Sequence, residues 1–298
     1  MTRSLTVIII FAVVWLGCTS DDGKMVGTPD KSKMLGADIR LFQGTEAWVL
    51  AKAVEAEDTT EIGRLIREKD VPVDSKEDRF GQSLLIWAAY TNRYNSVKSL
   101  LQNGADPNLT SDYSGTSATL VSSDFAFFGG RRDHAGYDTS TALLKLVLDY
   151  GGNPNQVHQG KHPNNINKIQ TPLMVAAGCC LYKTQLLVEH GADINFGNGF
   201  QSVLFAAAHG GKDRGLILKY LLIERRADFK DKYALTLDGD TLRITDLLRG
   251  WAEPLESEEY RVKMEIVDFL KRNGMNYWET RVPKHLFANY SKEYLEKY

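Results

Sequence analysis

The chain has 298 residues, 43% hydrophobic, 25% charged and 10% aromatic, with a formal net charge of −2. That composition excludes a collagen, a disordered tail and a disulfide-dense miniprotein, and 36 basic against 38 acidic side chains give no electrostatic footprint for nucleic acid. Length alone suggests about two domains, and three cysteines are an awkward number for a disulfide scheme.

Arg3 opens the chain with positive charge, and Leu5 to Leu16 form a nearly unbroken apolar run ending at Gly17 and Cys18. A bilayer-spanning helix needs ~20 apolar residues, so this run fits the apolar centre of a signal peptide. Trp15-Leu16-Gly17-Cys18 resembles the lipobox of bacterial lipoproteins, with Trp15 departing from the usual leucine. The resemblance implies removal of residues 1–17 as a signal peptide, lipidation of Cys18, and anchorage to a membrane of the bacterial envelope. Thr19 stands where an aspartate would mark inner-membrane retention, which favours the outer membrane, facing the periplasm or the cell surface. Loss of residues 1–17 removes one arginine and no acid, leaving a net charge of about −3. Residues 18–45 are rich in small and polar residues without apolar periodicity. They read as the lipidated cysteine and a flexible tether reaching on the order of 25–30 Å, at about 5–6 Å × √n.

From there a repeated mark carries the chain. GADPN stands at 104–108, GGNPN at 151–155, GADIN at 191–195 and RADFK at 226–230. Lys69 to Val73 is a weaker echo and Gly274-Met275-Asn276 closes the series, at intervals of 35, 47, 40, 35 and 48 residues. Apolar helical runs precede the marks: Ser96–Leu101, Leu143–Leu148, Leu186–Val188 and Ile217–Leu222. Glycine at most of the marks supplies the left-handed stop that ends a helix. Ala-rich first helices lie upstream at 83–90, 171–178 and 202–209, and Thr171-Pro172 supplies a cap and a first-turn proline.

These residues resemble the ankyrin repeat, with its TPLHxA opening and GADxN close. The resemblance covers about residues 46–277 as an all-α solenoid of about six helix pairs with β-turn fingers. The units at 81–108, 170–195 and 199–230 match well, and the first and last (46–74 and 236–277) are degenerate, as solenoid caps tend to be. The first helix of the unit at 115–155 matches poorly. Insertions at 127–139 and 156–170 lengthen the third unit and the finger before the fourth, and solenoid insertions map to loops on one face. Residues 278–298 form a C-terminal capping segment in which Leu286, Phe287, Tyr290, Tyr294 and Tyr298 fall at near-helical spacing, predicting a helix over the last repeat.

No catalytic constellation emerges. Gly211-Lys212 is preceded by Ala206 where a Walker loop needs glycine and followed by Asp213 where it needs Ser or Thr. Gly197-Asn198-Gly199 reads as a finger turn. His158 and His162 lack further local ligands, so no metal is expected, nor any other cofactor. Cys179-Cys180 reads as two partly buried thiols, because a vicinal disulfide closes a strained ring. The expected role is therefore non-catalytic binding of another protein, with no nucleic-acid partner. The resemblance marks the finger tips and the exposed edge of the first helices as partner-facing. On this chain those positions are Arg79, Phe80, Gln82, Tyr90 and Thr91; Lys168, Gln170, Gly178 and Cys179; and Asn198, Phe200, Gln201 and His209. A lipid-tethered binder of this kind suits an immunity or inhibitor protein against a toxin, or an accessory lipoprotein that positions or stabilises an envelope enzyme.

Overall fold

The computed structural model describes residues 30–124, 136–157, 169–199, 201–230, 234–235 and 241–298. The leader with Cys18, most of both insertions with His158 and His162, Lys168 and Phe200 lie outside the described residues. Twelve helices pair in chain order: α1 (Trp48–Glu55) with α2 (Thr59–Lys69), α3 (Leu84–Tyr90) with α4 (Tyr94–Gln102), and α5 (Ala118–Ser123) with α6 (Gly136–Asp149). Then come α7 (Pro172–Ala177) with α8 (Leu181–Glu189), α9 (Val203–Ala208) with α10 (Arg214–Lys219), and α11 (Ile244–Arg249) with α12 (Glu258–Arg272). The first helices stack on one another in sequence, α1 to α11, and the second helices stack likewise, α2 to α12. The fold is the expected all-α solenoid of six helix pairs, one elongated array in place of two domains.

Local chemistry repeats with the array. Ser83, Ser117, Thr171 and Ser202 cap α3, α5, α7 and α9, each hydroxyl accepting from the backbone N–H three residues on. The fingers are narrow antiparallel turns, closed by bridges between Lys76 and Ser83, Thr110 and Ser117, and Gly197 and Ser202. The last finger carries the ladder of β1 (Ala234–Leu235) with β2 (Thr241–Leu242), pairing Ala234 with Leu242 and Leu235 with Thr241. After the second helices, Gly104, Gly151, Gly191 and Gly274 take φ between 85° and 90°, the left-handed stop read from the sequence. Arg226 stands at the equivalent place with φ 58°.

The asparagines of the repeated mark bind one unit to the next. Asn155 Nδ2 donates to the Gly191 carbonyl at 2.9 Å while its Oδ1 accepts from Asp193 N–H at 2.7 Å. Asn108 does the same to Gly151 and Asn153, at 3.0 and 2.8 Å. Asn195 Oδ1 accepts from Asp228 N–H at 2.8 Å, and Asp74 fills the role in the first unit by accepting from Asp106 N–H at 3.1 Å. Burial, and the nearby Asp106 charge, raise the Asp74 carboxyl above its ordinary range. Asn108 and Asn155 are thus two-point clamps on the following unit, and Asp74 and Asn195 accept from the corresponding N–H.

The poor match of the third unit's first helix has a physical basis. Thr119, Ser122 and Ser123 on α5 are buried, and Ser122 and Ser123 return their hydroxyls to carbonyls four residues back at 2.7 and 2.8 Å. Such a helix fills a narrow slot with small hydroxyls in place of alanines. Its neighbour across the clamp shrinks to match: a Cβ on Gly152 would lie 2.6 Å from Thr119 Oγ1 and 2.8 Å from a Val147 methyl. The apolar core divides here, with Leu143, Leu146 and Val147 of α6 facing the N-terminal cluster and Leu144 and Leu148 the C-terminal one.

Two expectations need correction. The flexible tether does not extend to residue 45. Residues 31–33 and 39–42 form short 3-10 turns capped by Asp30 and Asp38, and Leu41 and Phe42 are fully buried in the first core cluster. The Gly-, Asp- and Lys-rich composition hid four apolar residues, Met34, Ile39, Leu41 and Phe42, that make this segment a strap over the first repeats. The C-terminal segment is not one helix over 285–298. It breaks into a 3-10 turn (Lys284–Ala288) and α13 (Lys292–Lys297), because the Ser291 side chain caps a new start. Leu286, Leu295 and Tyr298 are buried against Ala252 and Leu255, so the segment covers the loop between α11 and α12, while Phe287 and Tyr290 face outward.

Candidate partner-binding surface

The finger before α3 is shaped by a carboxylate. Glu77 is buried and accepts from the backbone N–H groups of Arg79 at 2.7 Å, Phe80 at 2.9 Å and Gln82 at 3.0 Å. This fixes the turn and projects Phe80, whose ring meets the edge of Tyr113 from the next finger at 5.6 Å. The same two fingers are joined by Tyr113 N–H donating to the Phe80 carbonyl at 3.0 Å and by the Lys76–Asp112 ion pair at 2.9 Å. Phe80 and Tyr113 form an aromatic step between two rigidly connected fingers, with Tyr113 exposed.

Tyr113 is not among the positions that the repeat resemblance marks, because the first helix of its unit departs from the repeat pattern. The signal is visible in hindsight: Thr110 to Ser117 repeats the spacing of Lys76 to Ser83, which puts Tyr113 at the place of Arg79.

Several expected partner-facing residues are engaged within the chain. The Arg79 guanidinium lies over Phe80 at 4.7 Å and donates to the Lys31 carbonyl of the strap. Gln82 is 8% exposed and its amide reaches the Gly36 carbonyl at 3.5 Å, so it is an internal residue and not a contact surface. Thr91 turns its hydroxyl onto the Trp87 carbonyl at 2.9 Å, closing α3. Asn198 clamps finger to finger, donating to the Ile169 carbonyl at 2.7 Å and accepting from Gln201 N–H at 2.9 Å. Gln170, Gln201 and Tyr90 are half-buried, and Tyr90 packs against the N-terminal core. His209 is exposed and stacks on Phe205 at 4.1 Å. Gly178 and Cys179 lie half-buried at the turn after α7. Phe80 is half-buried and packs partly against the N-terminal core, so Tyr113, with Phe80 beside it, and His209 remain as the aromatic positions that this face presents, and aromatics are favoured binding anchors.

A family profile described as the ankyrin repeat matches residues 80–112, and a second ankyrin-repeat profile matches residues 168–196. These two segments are similar to ankyrin repeats, and the fold is that of an ankyrin-repeat solenoid. Among solved structures the chain is similar to EF0377, "an Ankyrin Repeat Protein", at 23% identity with a TM-score of 0.52. That likeness covers 76% of this chain and 97% of the other. No curated protein matches the sequence. Ankyrin repeats are protein–protein interaction modules, a scaffold that works by surface and not by chemistry. Among the described residues no three His, Cys, Asp or Glu side chains gather to hold a metal, and no helix is long and apolar enough to cross a membrane.

Proposed function

We propose that this ankyrin-repeat solenoid binds a partner protein through its finger face, held at the bacterial envelope by a lipid on Cys18. The aromatic step of Phe80 and Tyr113 carries the reading. It is a presented apolar feature on a face stiffened by Glu77, by the Lys76–Asp112 pair and by the asparagine clamps. A preformed anchor loses little conformational entropy on binding. The anchor itself is supported by the apolar run Leu5 to Leu16 ending at Gly17-Cys18. Lipidation at that cysteine confines the domain to the outer membrane, where local concentration substitutes for part of the affinity. Such an arrangement suits neutralisation of an incoming toxin.

The test is affinity capture from envelope extract with the wild-type chain and with the double substitution Phe80→Ala, Tyr113→Ala. A partner lost in the double variant, but kept when the exposed Tyr182 on α8 is changed, supports the reading. Equal capture by all three sinks it. Toxin as the captured protein supports the immunity role, whereas an envelope enzyme supports the accessory one. Cys18→Ser should release the chain from the membrane fraction, and unchanged membrane association refutes the anchor.

A further inference from the structure

The turn between α7 and α8, away from the Phe80–Tyr113 step, gathers three nucleophilic side chains. Cys179 is half-buried and Cys180 is 4% exposed, both present as thiols. Lys183, one helical turn on, is 1% exposed. Cys179 Sγ lies 3.8 Å from the Ser123 carbonyl and Lys183 Nζ 3.3 Å from the Asp124 carbonyl, so both reach the same end of α5. The charged form of Lys183 is disfavoured by burial, which lowers its pKa, and is favoured next by Cys179, then Cys180, then Asp124. An amine held with Cys179 at the same end of α5 can take that thiol's proton, since an ammonium and a thiolate formed together stabilise each other.

We propose that Cys179 and Cys180 form a thiol-oxidation site for hydroperoxides, with Cys179 as the attacked sulfur, Cys180 as the resolving thiol and Lys183 as the positioning charge. In the first step the proton of Cys179 passes to Lys183. The thiolate attacks the peroxide, the O–O bond breaks, and the departing oxygen takes the proton back from the ammonium. The products are the Cys179 sulfenic acid, an alcohol (water when the oxidant is hydrogen peroxide) and a neutral lysine. In the second step Cys180 sulfur displaces the hydroxyl from Cys179, forming the S–S bond and releasing one water. The peroxide supplies both oxidising equivalents.

The geometry assigns the roles. Cys179 is the more accessible sulfur, and Cys180 sits where α8 starts, with extended backbone at φ −151° and ψ 119°. The strain of the eight-membered ring makes the vicinal disulfide readily reducible, as befits a reversible mark. Ring formation alters the turn that stacks on the next unit, where Gly211 N–H donates to the Gly178 carbonyl at 3.2 Å. This proposal stands independently of the lipid anchor and of the partner.

The test treats the purified full chain with hydrogen peroxide from about pH 5 to 9, then maps the peptide that holds both cysteines by mass. The expected result is loss of two hydrogens, restored by a dithiol reductant, with a pH midpoint below the ~8.5 of an ordinary thiol. Cys180→Ser should leave a Cys179 sulfenic acid that a cyclic diketone traps, and Cys179→Ser should leave Cys180 unreacted. Lys183→Met should move the midpoint upward and slow the reaction roughly tenfold near neutrality, the effect of about one unit in thiol pKa. Lys183→Arg should not restore the wild-type profile, because a guanidinium stays charged and cannot take the thiol proton. Direct gain of oxygen on both cysteines without pairing overturns the proposal, as does a Lys183→Met profile that superimposes on the wild type. If either lysine variant loses its helical signal, the wild-type profile decides, and a midpoint at or above ~8.5 counts against the proposal.

Discussion

Lys263 sits in the C-terminal cap as a fully buried lysine, and its charge should make this end of the solenoid sensitive to pH. Its ammonium donates to the Trp251 carbonyl at 2.7 Å and lies 4.3 Å from the ring of Tyr298 and 5.2 Å from that of Tyr277. Burial, then repulsion from Arg249 and Arg214 against a pull from Glu253, lowers its pKa from 10.5 to about 7. Between those values the unfolded chain holds a proton that the folded chain has lost, so stability rises with pH. Below about 7 both states are protonated and the whole cost is present. The shift corresponds to about 5 kcal/mol, and the two aromatic faces return about 1–2 kcal/mol of it by favouring the cation. Lys263→Met removes the charge and fills the space, but leaves the Trp251 carbonyl without its donor, a loss of about 1–2 kcal/mol. The variant should therefore be about 1–3 kcal/mol more stable than wild type at pH 6 and slightly less stable at about pH 9.5.

Urea unfolding monitored by circular dichroism at intervals from pH 6 to about 9.5 measures this directly. The window stops there because burial raises Tyr277 to about 12, so its unfolded form loses protons first and stability falls at higher pH. Parallel stability curves for wild type and variant, with no crossing, would refute the reasoning.

Three further outcomes follow from the packing. Asn155→Ala removes two hydrogen bonds between the third and fourth units at an exposed site, and should cost about 1–2 kcal/mol in urea unfolding. A loss below a few tenths would deny the clamp its structural weight. Arg226→Gly relieves left-handed strain of about 1–2 kcal/mol but surrenders a stacking contact with Phe269 at 5.4 Å. A net gain of up to about 1 kcal/mol in thermal or urea unfolding is expected, and any loss of stability contradicts the strain. Gly152→Ala forces a methyl against Thr119 and the Val147 carbonyl, and should destabilise by about 1–3 kcal/mol. A fully stable variant would show that the α5–α6 slot is looser than drawn.

Most of the architecture was legible in the residues themselves, because an ankyrin-type unit is a local structure. Cap hydroxyls, alanine pairs, the glycine stop and the clamping asparagine act within about forty residues, so their spacing reports the helix pairs without knowledge of the rest. The reading weakened at α5, where buried hydroxyls replaced the apolar pattern, and Tyr113 was overlooked for that reason. It also failed at residues 30–45, where four apolar side chains among many polar ones look like a tether until the surface that receives them is seen.

The sequence by itself determined the repeat, its period and the places where its helices begin and end, since each rests on short-range backbone chemistry. Only the tertiary structure decided which marked residues remain available to a partner. Arg79 and Gln82 are taken up by a strap some 45 residues earlier in the chain, and Phe80 gains Tyr113 from the following finger. It also decided that Lys183 meets two thiols at the end of α5 and that Lys263 lies among tyrosines. Those environments are made by residues far apart in the chain, and no periodicity in the sequence reports them.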